Sequence, residues 1–201
     1  MNVSLSNLED TLCNIVIEQQ KKTVRKSSKI KEWLGREVSQ STVIKLGTLL
    51  EDLFNSYLIY SGKSMLHTLN DCKGKRCVQD EDGNNHQVDI YAQIDDKTYA
   101  TFEMKCNLDL DRGKKRDVIR REETIFNALS KQLDDDVDII SGIFNPFHYE
   151  EEPKELFWEG TSIYLYGLPW IIDNLDLPFS MEDFIELGKS EQLKECLELI
   201  T

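Results

Sequence analysis

Three charged residues, Asp89, Glu103 and Lys105, have types and spacing that could bind a metal ion and act on a ligand beside it. They lie on two segments, residues 87–93 and 98–106, in which apolar and polar residues alternate. Alternation predicts two β-strands whose successive side chains point to opposite faces. The pattern puts Glu103 and Lys105 on one face of the second strand, opposite the apolar face formed by Ala100, Phe102, Met104 and Cys106.

The turn between the two predicted strands decides whether Asp89 faces Glu103. If residues 95–97 form a three-residue loop, Ile94 pairs with Thr98 and Asp89 lies directly opposite Glu103. A two-residue loop would put the two acids on opposite faces. Opposed side chains of an antiparallel pair lie roughly 4.5–5.5 Å apart at Cβ, where like charges are destabilising.

Two facing carboxylates beside a lysine favour a site for a cation. Carboxylate oxygens with room for water and a phosphate suit Mg²⁺. The alternative is a solvated hairpin face whose charges have no function, since Asp and Glu are common on surfaces.

This hairpin resembles the PD-(D/E)xK nuclease superfamily, whose best-known members are the type II restriction endonucleases. The residues that carry the resemblance are Asp89, Glu103 and Lys105, together with Glu51 on a preceding predicted helix. The likeness covers roughly residues 40–170. One position departs from the pattern, because Val88 stands where a proline often precedes the aspartate.

The resemblance implies Mg²⁺, or Mn²⁺ in its place, bound by Asp89, Glu103 and the backbone carbonyl of Met104. Glu51 is implied as a further ligand and catalytic residue; the alternative is that it lies at the helix boundary and faces water. Lys105 is expected to orient or deprotonate an attacking water, or to stabilise developing negative charge.

Composition predicts one domain in a chain of 201 residues, 40% of them hydrophobic and 30% charged. We expect a soluble cytoplasmic protein, because no apolar run is long enough to span a membrane and the N-terminus lacks the pattern of a signal peptide. The five dispersed cysteines predict reduced thiols. Zinc binding is the minor alternative for four residues whose spacing matches no familiar module: His67, Cys72, Cys77 and His86.

The charge is uneven along the chain. Residues 1–125 contain 20 Lys and Arg and 20 Asp and Glu, whereas residues 126–201 contain 4 and 17, which accounts for the net charge of −13. This balance argues against a general polyanion binder but permits local phosphate contacts. The alternative for each basic cluster is a solvated helix face. Three basic clusters are present: Lys21, Lys22, Arg25, Lys26, Lys29 and Lys31; then Lys73, Lys75 and Arg76; then Arg112, Lys114, Lys115, Arg116, Arg120 and Arg121, directly after the predicted Glu-x-Lys strand. The members of the second and third clusters other than Arg121 are candidates for DNA contact.

Periodicity and turn residues predict an α/β fold in the order αβββαββα, a restriction-endonuclease-like core with a mixed sheet of about five strands flanked by helices. Predicted helices span residues 7–25, 30–35, 39–60, 117–133, 181–188 and 191–200; predicted strands span 76–79, 87–93, 98–106, 137–144 and 162–166. We divide the chain into a helical extension (1–38), a catalytic core (40–170) and acidic C-terminal helices (171–201). The helices over 181–188 and 191–200 are expected to be peripheral.

The expected function is a Mg²⁺-dependent endodeoxyribonuclease acting on double-stranded DNA, most simply a type II restriction endonuclease working as a homodimer. Two alternatives stay open. One is another nuclease of the same superfamily, acting in repair, on junctions or without sequence specificity. The other is a non-catalytic acidic binding module on the same fold.

Overall fold

A computed structural model describes residues 29–35, 39–108, 110–134, 136–158 and 160–198. The predicted helix over residues 7–25 lies outside this part of the chain, as do Cys13 and the basic residues Lys21, Lys22, Arg25 and Lys26. In the described residues the fold is α/β, with two sheets flanked by helices. No helix there combines the length and apolar character that crossing a membrane requires.

The helices are α1 (Lys29–Leu34), α2 (Gln40–Tyr60), α3 (Arg112–Ser130), α4 (Leu168–Asn174), α5 (Met181–Lys189) and α6 (Glu191–Glu198), with a 3₁₀ turn at Leu66–Thr68. The strands are β1 (Asn70–Asp71), β2 (Arg76–Gln79), β3 (Asn85–Gln87), β4 (Ile90–Gln93), β5 (Thr98–Met104), β6 (Asp138–Phe144), β7 (Lys154–Trp158) and β8 (Thr161–Tyr166).

The larger sheet has the strand order β4-β5-β6-β8-β7. Strands β5, β6 and β8 are parallel, and β4 and β7 pair antiparallel at the two edges. Helix α3 connects β5 to β6, because parallel neighbours need a long crossover. The smaller sheet has the order β1-β2-β3 and is antiparallel.

Helix α2 begins and ends where its sequence predicts. The hydroxyl of Ser39 accepts a hydrogen bond from the backbone N–H of Thr42 at 3.2 Å, which caps the first turn. Gly62 has φ +74°, a conformation that suits glycine and stops the helix. One face of α2 packs on the apolar face of β4 and β5, forming the main core.

The C-terminal helices are part of this core, so the prediction that they are peripheral is wrong. Phe184, Leu187 and Leu193 are fully buried. The Trp33 side chain of α1 stacks on Phe184 with centroids 5.0 Å apart and donates a hydrogen bond to its carbonyl at 2.8 Å. Each of α5 and α6 has acidic residues on its outer face and an apolar stripe on its inner face. The prediction weighed the acidic residues and not the stripe.

Three predictions about strands need correction. Residues 87–93 are not one strand: β3 ends at Gln87 in the smaller sheet, and β4 starts at Ile90 in the larger one. The predicted strand 76–79 belongs to the smaller sheet, and the fifth strand of the larger sheet is β7, for which no strand was predicted. The described elements run in the order ααβββββαβββααα, which is longer than the predicted αβββαββα; β1, β7 and α4 were not predicted at all.

Candidate active site

The register of the β4–β5 hairpin places Asp89 opposite Glu103, as predicted. Ile90 pairs with Phe102, and Gln93 pairs with Tyr99. The backbone N–H of Ile94 donates to the carbonyl of Thr98 at 2.8 Å, so the loop has three residues. Extending this register by one pair from Ile90 brings Asp89 across from Glu103.

Asp89 occupies the break between β3 and β4, where the chain passes from one sheet to the other. Its carboxylate is 6% exposed, and Oδ2 accepts a hydrogen bond from the backbone N–H of Met104 at 3.1 Å. Glu103 is 3% exposed. Burial of two carboxylates within one hairpin is costly unless a cation compensates them.

That cation is the guanidinium of Arg121 on α3. A single nitrogen, Nη2, lies 3.3 Å from Oδ2 of Asp89 and also contacts Oε2 of Glu103. The two carboxylates therefore converge on one position of positive charge. Because each acid comes from a different strand, this convergence is set by the register of the hairpin.

Lys105 lies one residue beyond the end of β5, on the same side as Glu103, as predicted. Its Nζ donates hydrogen bonds to Oε1 of Glu103 and, at 3.2 Å, to the backbone carbonyl of Met104. The main-chain oxygen of Met104 therefore belongs to the same cluster of polar atoms.

Glu51 faces the cluster from α2 instead of lying in water at a helix boundary. Burial, followed by the charge of Asp89, raises the pKa of its carboxyl to about 8, while Lys75 and Lys105 act in the opposite direction. One turn later, the Asn55 side chain donates to the carbonyls of Glu51 and Asp89 at 3.1 and 2.9 Å. This amide fixes α2 to the strand break.

Two clefts open beside these residues. The first, of about 290 Å³, lies between α2 and the strand ends and is lined by Glu51, Asp89, Met104 and Cys106 among others. The second, of about 190 Å³, adjoins the start of α3 and is lined by Leu110, Lys114, Asp117 and Val118. Glu103, Lys105 and Arg121 line both clefts.

The donor set fits a hard divalent cation. Oε2 of Glu103 is buried and contacts Nη2 of Arg121, so it could bind a metal ion only if that guanidinium moved away. Carboxylate and carbonyl oxygens are the ligands that Mg²⁺ prefers. The described residues contain no group of three His, Cys, Asp or Glu side chains arranged to hold a metal ion. Asp89, Glu103 and the Met104 carbonyl are the atoms that would hold one.

Sequence reasoning placed Arg121 only in a basic cluster near the predicted site and did not consider Glu122. The apolar residues Val118, Ile125 and Leu129 predict the inward face of α3, and positions 121 and 122 lie on that same face by helical spacing. Glu122 is 4% exposed, and burial raises the pKa of its carboxyl to about 8; the hydroxyl of Ser141 donates to it at 3.1 Å. Phe126, predicted to point inward, is 38% exposed.

The predicted DNA-contact residues are spread over two regions. Lys73, Lys75 and Arg76 are exposed in and after the β1–β2 turn, and Lys75 is near enough to act on Glu51. Lys114 lines the second cleft and pairs with Asp111 at 2.8 Å. The Lys115 ammonium lies 5.3 Å from the ring centroid of Trp158, whereas Arg112, Arg116 and Arg120 are exposed on α3.

The prediction of reduced cysteines is wrong for one pair. Cys72 and Cys77 form a disulfide, with Cα atoms 6.1 Å apart, that closes the basic turn. Cys106 is a free thiol, and burial raises its pKa to about 12. The four zinc candidates do not converge: His86 pairs with Asp80 at 2.7 Å, and His67 Nδ1 lies 3.1 Å from the carbonyl of Ser64.

The chain was compared with models of protein families, with curated proteins and with solved structures. No significant match was found.

Proposed function

We propose that this protein is a Mg²⁺-dependent endodeoxyribonuclease that hydrolyses phosphodiester bonds in double-stranded DNA. The observation that carries the proposal is the convergence of Asp89 and Glu103 on one cation position, with Lys105 alongside. The arrangement around them supports it: an antiparallel hairpin, then a helical crossover to a parallel strand, with an acid from a preceding helix. A restriction-endonuclease-like core has these parts.

Each residue then has a chemical role. A bound Mg²⁺ supplies a charge for a non-bridging phosphate oxygen and lowers the pKa of its bound water. Asp89 and Glu103 hold the ion, and the backbone N–H of Met104 fixes the orientation of Asp89. Lys105 is placed to orient the attacking water or to stabilise the negative charge that develops on the phosphate. Glu51, with its raised pKa, can hold a proton near the site.

Within this proposal, a type II restriction endonuclease acting as a homodimer on a short palindromic site is the form we favour. Two-fold symmetry in a protein matches two-fold symmetry in its DNA site. A repair, junction or nonspecific nuclease would use the same three residues.

A second candidate is a non-catalytic acidic binding module. It is favoured by the ion pairs of Arg121 and Lys105, which compensate both carboxylates without any metal. It is also favoured by the acidic segment 126–201.

Incubation with plasmid DNA in Mg²⁺, Mn²⁺ or EDTA separates these candidates. We expect discrete fragments in Mg²⁺ and none in EDTA. Asp89→Asn, Glu103→Gln and Lys105→Met should each lower the cleavage rate by about 10³-fold or more while the protein stays folded. Asp96→Asn is the matched control, because Asp96 is an exposed acid at the tip of the same hairpin.

A smear of fragments would indicate a nonspecific nuclease. Intact plasmid in both Mg²⁺ and Mn²⁺ would refute the proposed activity and leave the binding module. A substituted residue whose variant cuts at the wild-type rate has no role in the reaction.

A further inference from the structure

Arg121 is held in an incomplete set of contacts. Its Nη2 touches both acids, but its Nε is buried and finds no hydrogen-bond partner among the described residues. A buried donor without a partner destabilises the arrangement that holds it. Arginine presents donors in a rigid fork that fits carboxylate or phosphate in pairs, and here only one nitrogen of that fork is engaged with the acids.

We propose that Arg121 occupies the cation position of the metal-free site and moves to bind a phosphate group in the neighbouring cleft when a divalent ion takes its place. This inference rests on the proposed function, because it assigns the phosphate subsite of the same reaction. Arg121 then touches the substrate. Asp89 and Glu103 bind the guanidinium first and the divalent ion afterwards.

Electrostatics require the exchange. A guanidinium and a divalent ion cannot both lie in contact with Asp89 and Glu103, since like charges about 4 Å apart repel by several kcal/mol near a protein surface. The ion brings the larger charge and accepts several oxygens at once. Arg121 is therefore the group that leaves.

The second cleft gives Arg121 a place to go. Arg121 already lines it, together with the ammonium groups of Lys105 and Lys114. The Arg121 side chain is 31% exposed, so it can turn without breaking the packing of α3 on the sheet. Three cationic side chains line this cleft of about 190 Å³ against two carboxylates, Glu103 and Asp117. With Glu103 neutralised by the bound ion, the remaining positive charge suits a phosphate of DNA.

The decisive measurement is Ca²⁺ binding by calorimetry, without DNA, for the wild type and Arg121→Gln. Removing the resident cation should tighten Ca²⁺ binding by about tenfold or more. Ca²⁺ should also raise the melting temperature of the variant by more than that of the wild type, because a tighter ligand stabilises the folded state more.

Lys131→Gln is the matched control. It removes the same charge just after the C-terminal end of α3, where Lys131 pairs with the exposed Glu81. Its Ca²⁺ affinity should stay within about twofold of the wild type, since exposed charges far from a site are screened. If Arg121→Gln does not fold, Arg121→Lys replaces it. Its Ca²⁺ affinity should lie between that of the wild type and the roughly tenfold tighter affinity expected when the resident cation is removed.

The second arm measures binding of fluorescent plasmid fragments in Ca²⁺. Arg121→Gln should bind them about tenfold more weakly despite its tighter hold on the ion, because the phosphate loses a ligand. Tighter Ca²⁺ binding with unchanged DNA affinity would overturn the phosphate role. Equal Ca²⁺ affinity in wild type and Arg121→Gln would overturn the whole inference.

These outcomes are distinct from failure of the proposed function. A wild type that cleaves no DNA, paired with the expected difference in Ca²⁺ affinity, removes the nuclease but keeps the exchange of cations. A wild type that cleaves DNA, paired with equal Ca²⁺ affinities, keeps the nuclease and removes the exchange. Absence of Ca²⁺ binding in every variant removes the exchange, and plasmid cleavage in Mg²⁺ then decides the nuclease separately.

Discussion

The two faces of the five-stranded sheet differ in what they bury. The face toward α2 is apolar, with Ile90, Ala92, Ala100 and Phe102 at 0% exposure. The face toward α3 buries Thr101 and Glu103 on β5 and Glu122 on the helix itself. Helix α3 packs on this second face through two apolar patches, and Arg121 and Glu122 lie between them.

This contrast indicates that the face toward α2 stabilises the fold and that the face toward α3 serves function. Apolar burial favours folding in proportion to the area removed from water. A buried carboxyl opposes folding unless it is paired, and pairs of this kind are concentrated at functional sites. A sheet of five strands could pack both faces with apolar side chains. The charges under α3 therefore support the proposed site.

The largest expected effect is on the apolar face. Phe102→Ala should lower the free energy of unfolding by about 3–5 kcal/mol, because a fully buried ring is lost and leaves a cavity. The ring packs against Tyr166 and Trp170, with centroids 4.8 and 5.8 Å away. Urea denaturation monitored by circular dichroism measures the change.

Phe157→Ala is the control for this prediction. Phe157 is 74% exposed on the edge strand β7, so its loss should change the free energy of unfolding by less than about 0.5 kcal/mol. A loss below about 1 kcal/mol for Phe102→Ala would contradict the view that this face holds the fold together.

The apolar face could be predicted from sequence because the patterns that indicate it involve residues close together in the chain. Alternation in residues 98–106 assigned both faces of β5, and Ser39 and Gly62 marked the ends of α2. The break at Val88–Asp89 was not readable, since alternation continues through it and the switch between sheets depends on pairing with β2 and β5. Strand β7 was missed because its residues 154–158 are half polar and pair only at an edge.

The next effect is a pH dependence that belongs to the charged face. Burial raises the pKa of Glu122 to about 8, from an ordinary value of 4.5. Between these values the folded protein holds a proton that the unfolded chain has released, so stability falls as pH rises, by about 1.4 kcal/mol per pH unit for one such group. Below pH 4.5 the stabilisation is complete, and above pH 8 the loss is complete.

Glu122→Gln should flatten this slope, because glutamine is the neutral isostere of the protonated acid. The measurement is the free energy of unfolding from pH 5 to pH 8 for wild type and variant. Glu51, whose pKa is also raised to about 8, should leave a residual slope of the same sign. Glu123→Gln, at the exposed neighbouring position, should keep the wild-type slope. Identical slopes for Glu122→Gln and wild type would show that Glu122 is charged when folded.

The candidate site could be predicted in part from sequence. Asp89, Glu103 and Lys105 were identified because a hairpin register is set by loop length, which residues 95–97 indicate. Arg121 was overlooked because a basic cluster on a helix suggests a solvated face. Its role depends on the crossover that brings α3 back over β5, and that is a property of the tertiary fold.

The smallest expected effect comes from a variant that tests whether every buried polar side chain on the sheet face toward α3 has a function. The hydroxyl of Thr101 is buried at 0% exposure and has no hydrogen-bond partner among the described residues. Thr101→Val keeps the shape and removes the unpaired hydroxyl, so the free energy of unfolding should rise by about 1 kcal/mol. Thermal and urea unfolding measure the change. Plasmid cleavage should stay at the wild-type rate, because the Thr101 hydroxyl makes no hydrogen bond to Asp89, Glu103 or Lys105. If the variant loses more than about 1 kcal/mol instead, the hydroxyl is hydrogen-bonded to a buried water, and the polar character of this face extends beyond the residues that would hold the cation.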